Sequence, residues 1–254
     1  MRKSRVIEKF RKGECATFAA LGHYLPFYIR HAAHCEFDGI WLDLEHRAME
    51  AREVQSLLSM CHQFDIDCMV RAPTLERTLL YRYFEDGASG LLMPLVDNPE
   101  EAKHIARSVK FPPLGNRGLD GAGLDSDYQL ASEGFVEAAN RETFVIVQIE
   151  TLNALNNAEA IAAIEGVNGL FVGPGDLGLR LGLKNDAPSL EEAIQTVATA
   201  AQNCGKIWGI AGGDPAQWKE WRANGAQLLI GTGDFTLRDT LQEASTSLTE
   251  ALKN

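Results

Sequence analysis

The chain is short of several things, and each shortage excludes something. It has five cysteines in 254 residues, at 15, 35, 61, 68 and 204, with no CxxC pair. An odd number without paired spacing argues against a disulfide scaffold or a thiolate metal site, and for free thiols in a reducing cytoplasm. No long hydrophobic run is present. The longest apolar stretch, GLLMPLV (90–96), is far below the roughly 20 residues a bilayer span needs. Basic residues at Arg2, Lys3 and Arg5 precede an apolar stretch at 15–22, but Glu8, Lys9, Arg11, Lys12 and Glu14 interrupt it, so it does not read as a signal peptide. Positive charge is scarce: 24 basic against 35 acidic residues, a net −11. Phosphate backbones and anionic membrane surfaces want clustered Lys and Arg, so neither nucleic acid nor a membrane is an expected partner.

What remains is an ordinary globular composition, 45% apolar and 23% charged. The length allows two ordinary domains or one large one. Eight short apolar runs recur, at 17–21, 39–43, 68–72, 90–94, 144–150, 169–173, 207–211 and 228–232. Each is nearly continuous, as a parallel strand buried on both faces reads. Helical patterns alternate with them near 25–34, 51–63, 75–86, 98–109, 129–139, 152–164, 189–203 and 215–223, with a last one over 236–252. Eight strands alternating with helices in this length predict one α/β domain, a (β/α)8 TIM barrel over residues 1–254. An open doubly wound sheet is the rival, but no GxGxxG follows the first strand. The long aperiodic segment 111–130 is expected to pass over the barrel mouth.

Barrel chemistry gathers at strand C-termini. Strand two ends in Asp43, Glu45 and His46, strand three in Arg71, strand five in Gln148 and Glu150, and strand six runs into Asp176. Buried charges cost several kcal/mol unless paired or metal-bound. Glu150 and Asp176 come from consecutive strands and would repel without a cation between them. Two hard oxygens suit Mg²⁺, Mn²⁺ or Co²⁺, although either residue could instead cap a helix. Arg71 awaits an anionic substrate group or an oxyanion, or else a salt bridge to Glu45 or Glu150. His46 reads as a general base with Glu85 as its orienting carboxylate, or as a structural histidine. His23 is a weaker candidate. The N–H groups of GPGDLG (173–178) could hold a carboxylate, and the glycines of 209–215 and 231–235 leave a phosphate site open. Only Lys206 of the lysines adjoins a strand, at its N-terminal end, which argues against Schiff-base chemistry and leaves a metal to stabilise any enolate.

The segments WLDLEH (41–46), MVRAP (69–73), LLMPLVDNPEEA (91–102), FPPLGNRG (111–118), VQIET (147–151) and GVNGLFVGPGDL (166–177) resemble the HpcH/HpaI aldolase family. The resemblance implies a class II pyruvate aldolase with a divalent metal ion and no organic cofactor. It also implies a homo-oligomer, trimer or hexamer, with the last helix exchanged between neighbours. Position by position, Glu150 and Asp176 match the metal ligands. Arg71 matches the arginine on the 2-oxo acid carbonyl, His46 the catalytic histidine, and Glu85 the place of its partnering aspartate. Asp43 matches an acidic residue near the interface, Gln148 a substrate-side amide, and the backbone of Gly175 and Asp176 the carboxylate pocket. Ala20 stands where the family often has tryptophan, and 119–128 is acidic and glycine-rich. Placed over the mouth, that acidic loop disfavours a dicarboxylate. The expected reaction joins or cleaves a 4-hydroxy-2-oxo acid, with pyruvate or hydroxypyruvate and an aldehyde as the small molecules. The alternatives are a CoA-thioester lyase of the malyl- or citryl-CoA type and a phosphosugar-processing barrel.

Overall fold

The computed structural model describes residues 1–130 and 133–253. The elements run α1 (Arg5–Arg11), β1 (Ala16–Leu21), α2 (Pro26–His34), β2 (Gly39–Asp43), α3 (Ala51–Gln63), β3 (Asp67–Arg71), α4 (Arg77–Glu85) and β4 (Gly90–Met93). Then follow α5 (Pro99–Val109), α6 (Phe135–Glu142), β5 (Phe144–Ile149), α7 (Leu152–Asn156), α8 (Ala158–Ala162), β6 (Gly169–Val172) and α9 (Pro174–Leu181). The last are α10 (Leu190–Asn203), β7 (Ile207–Ala211), α11 (Pro215–Ala223), β8 (Leu228–Gly233) and α12 (Leu237–Ala251). The eight strands pair in parallel in chain order and close on themselves, β8 against β1. The expected TIM barrel is therefore the fold.

Alternation along each strand divides the core in two. Ile40, Leu42, Val70, Leu91 and Val147 face outward into the helices, while Phe18, Met69, Leu92, Phe144, Ile146 and Phe171 fill the barrel interior. The inward ring of Phe144 occupies the space a Cβ on Gly90 would need, 2.0 Å from the nearest ring carbon. Helix α1 closes the N-terminal end. Its Val6 and Ile7 join the interior cluster, and the fully buried Asp67 carboxylate accepts from Ser4 Oγ (2.6 Å) and Val6 N–H (2.9 Å) and pairs with Arg2.

Two expectations are corrected. The segment 111–130 lies at the N-terminal rim, not over the mouth. Helix α5 carries the chain back across the barrel wall before the loop begins, as a βα crossover must. There Arg117 and Asp125 form a buried 2.6 Å ion pair, and Gly123 packs on the Glu85 carbonyl. The objection to a dicarboxylate from an acidic loop therefore lapses. The helix expected over 129–139 begins at Phe135, because Asp127, Tyr128, Gln129 and Gly134 all take positive φ; residues 131 and 132 lie outside the described residues. Helix α12 buries none of its side chains. No helix among the described residues is long and apolar enough to cross a membrane.

Candidate active site

The alternation that puts Trp41 inside the barrel puts Asp43 on the same face two residues later, at the mouth. Asp43 and Arg71 are register partners across β2 and β3. Arg71 donates through Nε (2.9 Å) and Nη2 (2.7 Å) to the two Asp43 oxygens. Its Nη1 lies 3.3 Å from Glu45, and its guanidinium sits 4.6 Å over the Trp41 ring. Burial alone would raise the Asp43 carboxyl. The hydrogen bonds and charge of Arg71, with the N–H groups of His46 and Glu45, outweigh it and hold the group below the usual carboxylate range. Glu45 goes the other way: burial, reinforced by the negative charges of Glu150 and Asp43, raises it against the pull of Arg71 and His46. The Arg71 cation is thus already committed to acids of its own chain.

Glu150, just past β5, is 2% exposed. Its Oε1 accepts the Leu95 N–H at 2.7 Å, and its Oε2 accepts from the Gln148 amide. Leu95 takes a left-handed φ of 54° that aims this N–H, a conformation a bulky side chain adopts at a cost of about 1–3 kcal/mol. Gly173 leaves the room: a Cβ there would come within 3.0 Å of Glu150 Oε2. The buried carboxylate is met by neutral donors, and Gln148 Oε1 beside it is buried without a hydrogen bond. Such a place could take a cation.

Asp176 lies in the first turn of α9, half exposed, and pairs with Arg180 at 2.9 Å. Arg180 also donates to the Glu150 carbonyl at 3.1 Å, tying the two strand ends together. The i,i+4 spacing of Asp176 and Arg180 was readable in sequence; the second contact was not. Nothing lies within 4 Å of where a Cβ on Gly175 would sit, so the space beside the first turn of α9 is open there. Glu150 and Asp176 offer two hard oxygens and suit an octahedral ion that takes its other ligands from water and substrate. Among the described residues no group of three or more metal-ligating side chains is present.

The histidines sort unexpectedly. His46 is exposed, with Glu45 at 3.6 Å as its nearest acid. Glu85 ends α4 at the opposite rim, where burial raises its carboxyl in spite of Arg117; within one chain it does not meet His46. His23, past β1, instead has Nδ1 2.7 Å from Asp234 Oδ2, and that oxygen also accepts the Gly22 N–H at 3.0 Å. Asp234 went unnoticed in sequence because it follows a glycine stretch read for phosphate. Two of those glycines pack against tryptophan instead. A Cβ on Gly213 would come within 2.6 Å of Trp221, and one on Gly231 within 2.5 Å of Trp218. Indoles thus occupy part of that glycine-lined space, while a Cβ on Gly212 would meet nothing within 4 Å.

The HpcH/HpaI aldolase/citrate lyase family model matches residues 21–234. A hydroxypyruvate/pyruvate aldolase from Pseudomonas aeruginosa is 29% identical over 243 residues, covering 94% of this chain and 91% of the relative. A 4-hydroxy-2-oxovalerate aldolase from Rhodococcus jostii is 30% identical, covering 80% and 81%. Among solved structures, an HpcH/HpaI aldolase/citrate lyase family protein from Burkholderia cenocepacia superposes with a TM-score of 0.86 at 28% identity, covering 99% of this chain and 100% of that one.

Proposed function

The chain belongs to the HpcH/HpaI aldolase/citrate lyase family, and from that premise we propose that it is a divalent-metal-dependent aldolase of 4-hydroxy-2-oxo acids. Its 2-oxo acid is pyruvate or hydroxypyruvate, as the relatives named hydroxypyruvate/pyruvate aldolase suggest. The single observation that carries the reading is the buried Glu150 carboxylate, met by neutral donors, on a rim that also holds the Asp43–Arg71 pair.

In cleavage the C3–C4 bond breaks. The C4 hydroxyl gives up its proton, the aldehyde departs, and the electron pair moves onto the C2 oxygen as an enolate, which takes a proton at C3 to become the 2-oxo acid. A divalent ion held by Glu150 and Asp176 supplies Lewis-acid polarisation when bound. Arg71 donates to the C2 oxygen as its negative charge grows. Asp43 holds the guanidinium in plane through two bonds, a positioning task. The α9 N-terminus at Gly175 and Asp176 receives the substrate carboxylate, and the Gln148 amide stays on the substrate side of Glu150. His46 is the candidate to exchange the C4 proton, with water as its rival. Glu85 can reach such a histidine only from another copy of the chain.

A homo-oligomer, trimer or hexamer with α12 exchanged, fits the exposed apolar ridge of that helix. A reducing cytoplasm fits five free thiols. The test is a metal-supplemented retro-aldol screen over 4-hydroxy-2-oxo acids with coupled pyruvate detection. Activity that EDTA removes and Mn²⁺ restores supports the reading; full activity in the chelator-stripped protein overturns it.

A further inference from the structure

The β1–β2 edge of the mouth carries two groups able to hold positive charge, His23 and Arg47. His23 is 66% exposed, yet its Nδ1 is tied to the Asp234 carboxylate, which is 6% exposed. A ring held through Nδ1–H by a buried acid has one orientation and presents Nε2 outward, where the protonated ring donates an N–H to an anion. Gly22 makes room for Arg47: a Cβ there would lie 3.0 Å from Arg47 Cγ and 3.2 Å from Nε. Arg47 is exposed, and its Nη1 donates to the His46 carbonyl at 2.8 Å. Among the described residues no carboxylate lies within salt-bridge distance of it. The acids nearby are engaged elsewhere, Asp43 and Glu45 with Arg71 and Asp234 with His23.

Asp234 has a structural task as well, because it joins the ends of β1 and β8 through the Gly22 N–H. That task explains the carboxylate. It does not explain an exposed imidazole locked in one orientation, with the stem of an arginine that has no acid packed on the neighbouring Gly22.

Position supplies the rest. In a closed ring of eight strands β1 stands opposite β5. A 2-oxo acid held at Glu150 and Asp176 therefore has the β1 and β2 ends on the far side of the mouth, within the space its aldehyde half can extend into. We propose that His23, oriented by Asp234, and Arg47 form a subsite for a terminal anion on the aldehyde half of the substrate. The inference rests on the aldolase reading above and narrows it: the preferred aldehyde carries a carboxylate or phosphate, rather than an apolar or merely hydroxylated tail. His23 and Arg47 bind the anion; Asp234 is a positioning residue.

The test runs the enzyme in the condensation direction, with pyruvate and Mn²⁺ and three aldehydes: succinic semialdehyde, its neutral methyl ester, and glyceraldehyde 3-phosphate. Wild-type kcat/KM is expected to favour one of the anionic aldehydes over the ester by about tenfold or more, as charged hydrogen bonds contribute elsewhere. Which one it favours identifies the anion. Arg47→Met keeps the stem against Gly22 and should cut that ratio about tenfold, and Arg47→Lys should restore part of it. His23→Phe and Asp234→Asn should lower the ratio too; if either fails to fold, the Arg47 pair still decides. A wild-type ratio near one, or a ratio unmoved by both Arg47→Met and His23→Phe, overturns the subsite and leaves the aldolase standing. No product from any aldehyde overturns the aldolase reading itself.

Discussion

Arg71 grips both oxygens of Asp43 across neighbouring strands, at 2.7 and 2.9 Å, while its guanidinium face rests 4.6 Å over Trp41. One planar cation is thus held in orientation on its edge and its face, on a rim where an oxyanion would form. Lysine cannot reproduce two parallel bonds and a stacked plane. Arg71→Lys should cost about 10²-fold in kcat/KM and leave Mn²⁺ affinity within about twofold, measured by Mn²⁺ paramagnetic resonance.

Asp43 should show its tie to Arg71 in acid. Its carboxyl lies below the usual range, so the folded state holds this proton more weakly than the unfolded chain. The stability it contributes is present above the unfolded value of about 3.9 and is lost as pH falls through the lower folded value. Asp43→Asn should flatten that part of the acid limb in urea titrations at pH 2–5. An unchanged limb would mean that the pair contributes nothing.

The two candidate metal ligands should separate from their neighbour. Glu150→Gln and Asp176→Asn should each weaken Mn²⁺ by about 10²-fold or more, since changes outside the ligand shell alone reach that. Arg180→Met removes a half-exposed i,i+4 pair, of a kind worth about 0.3–0.5 kcal/mol, together with the bond to the Glu150 carbonyl, but no ligand oxygen, and should shift affinity by about twofold. Borohydride with pyruvate should trap no adduct, since Lys206 donates to the Val167 carbonyl at the N-terminal end of β7.

Lys110 predicts a rise of stability with pH. Burial, with Arg117 nearby, pushes its ammonium down to about 7, while Nζ donates to Thr143 O (2.7 Å), Thr143 Oγ1 (3.0 Å) and Asn140 O (3.0 Å). Between about pH 7 and the unfolded value near 10.4, the unfolded chain binds the extra proton, so unfolding free energy increases with pH there. Lys110→Met should abolish this increase, as read by urea midpoints at pH 6.5 and 9.

Helix α12 carries Leu237, Leu241 and Leu248 on one exposed stripe, 55–65% accessible. If neighbours cover it, Leu241→Glu with Leu248→Glu should reduce the assembly to smaller species by light scattering. A wild-type monomer would remove the exchange from the proposal.

Sequence patterning made much of this visible. Each apolar run became a strand because a parallel barrel buries both faces, and a run of five residues such as Gly39–Asp43 has no other way to do so. Strand order then placed Asp43, Arg71, Gln148, Glu150 and Asp176 on one rim, since a stave ends where its apolar run ends. Partnership was another matter. Glu85 was read as serving His46, although the two lie on opposite rims of a single chain, and the oriented histidine turned out to be His23.

The sequence by itself determined the barrel, its eight staves and the acidic, arginine-bearing rim, because periodicity and strand termini are local properties that burial enforces. Tertiary structure alone decided that Arg71 rests on Asp43, that indoles pack on Gly213 after β7 and on Gly231 within β8, that the loop over 111–130 lies at the far rim, and that Asp234 reaches 211 positions back to His23. These are contacts across the closed ring. They depend on which stave stands beside or opposite which, and that is settled only when β8 meets β1.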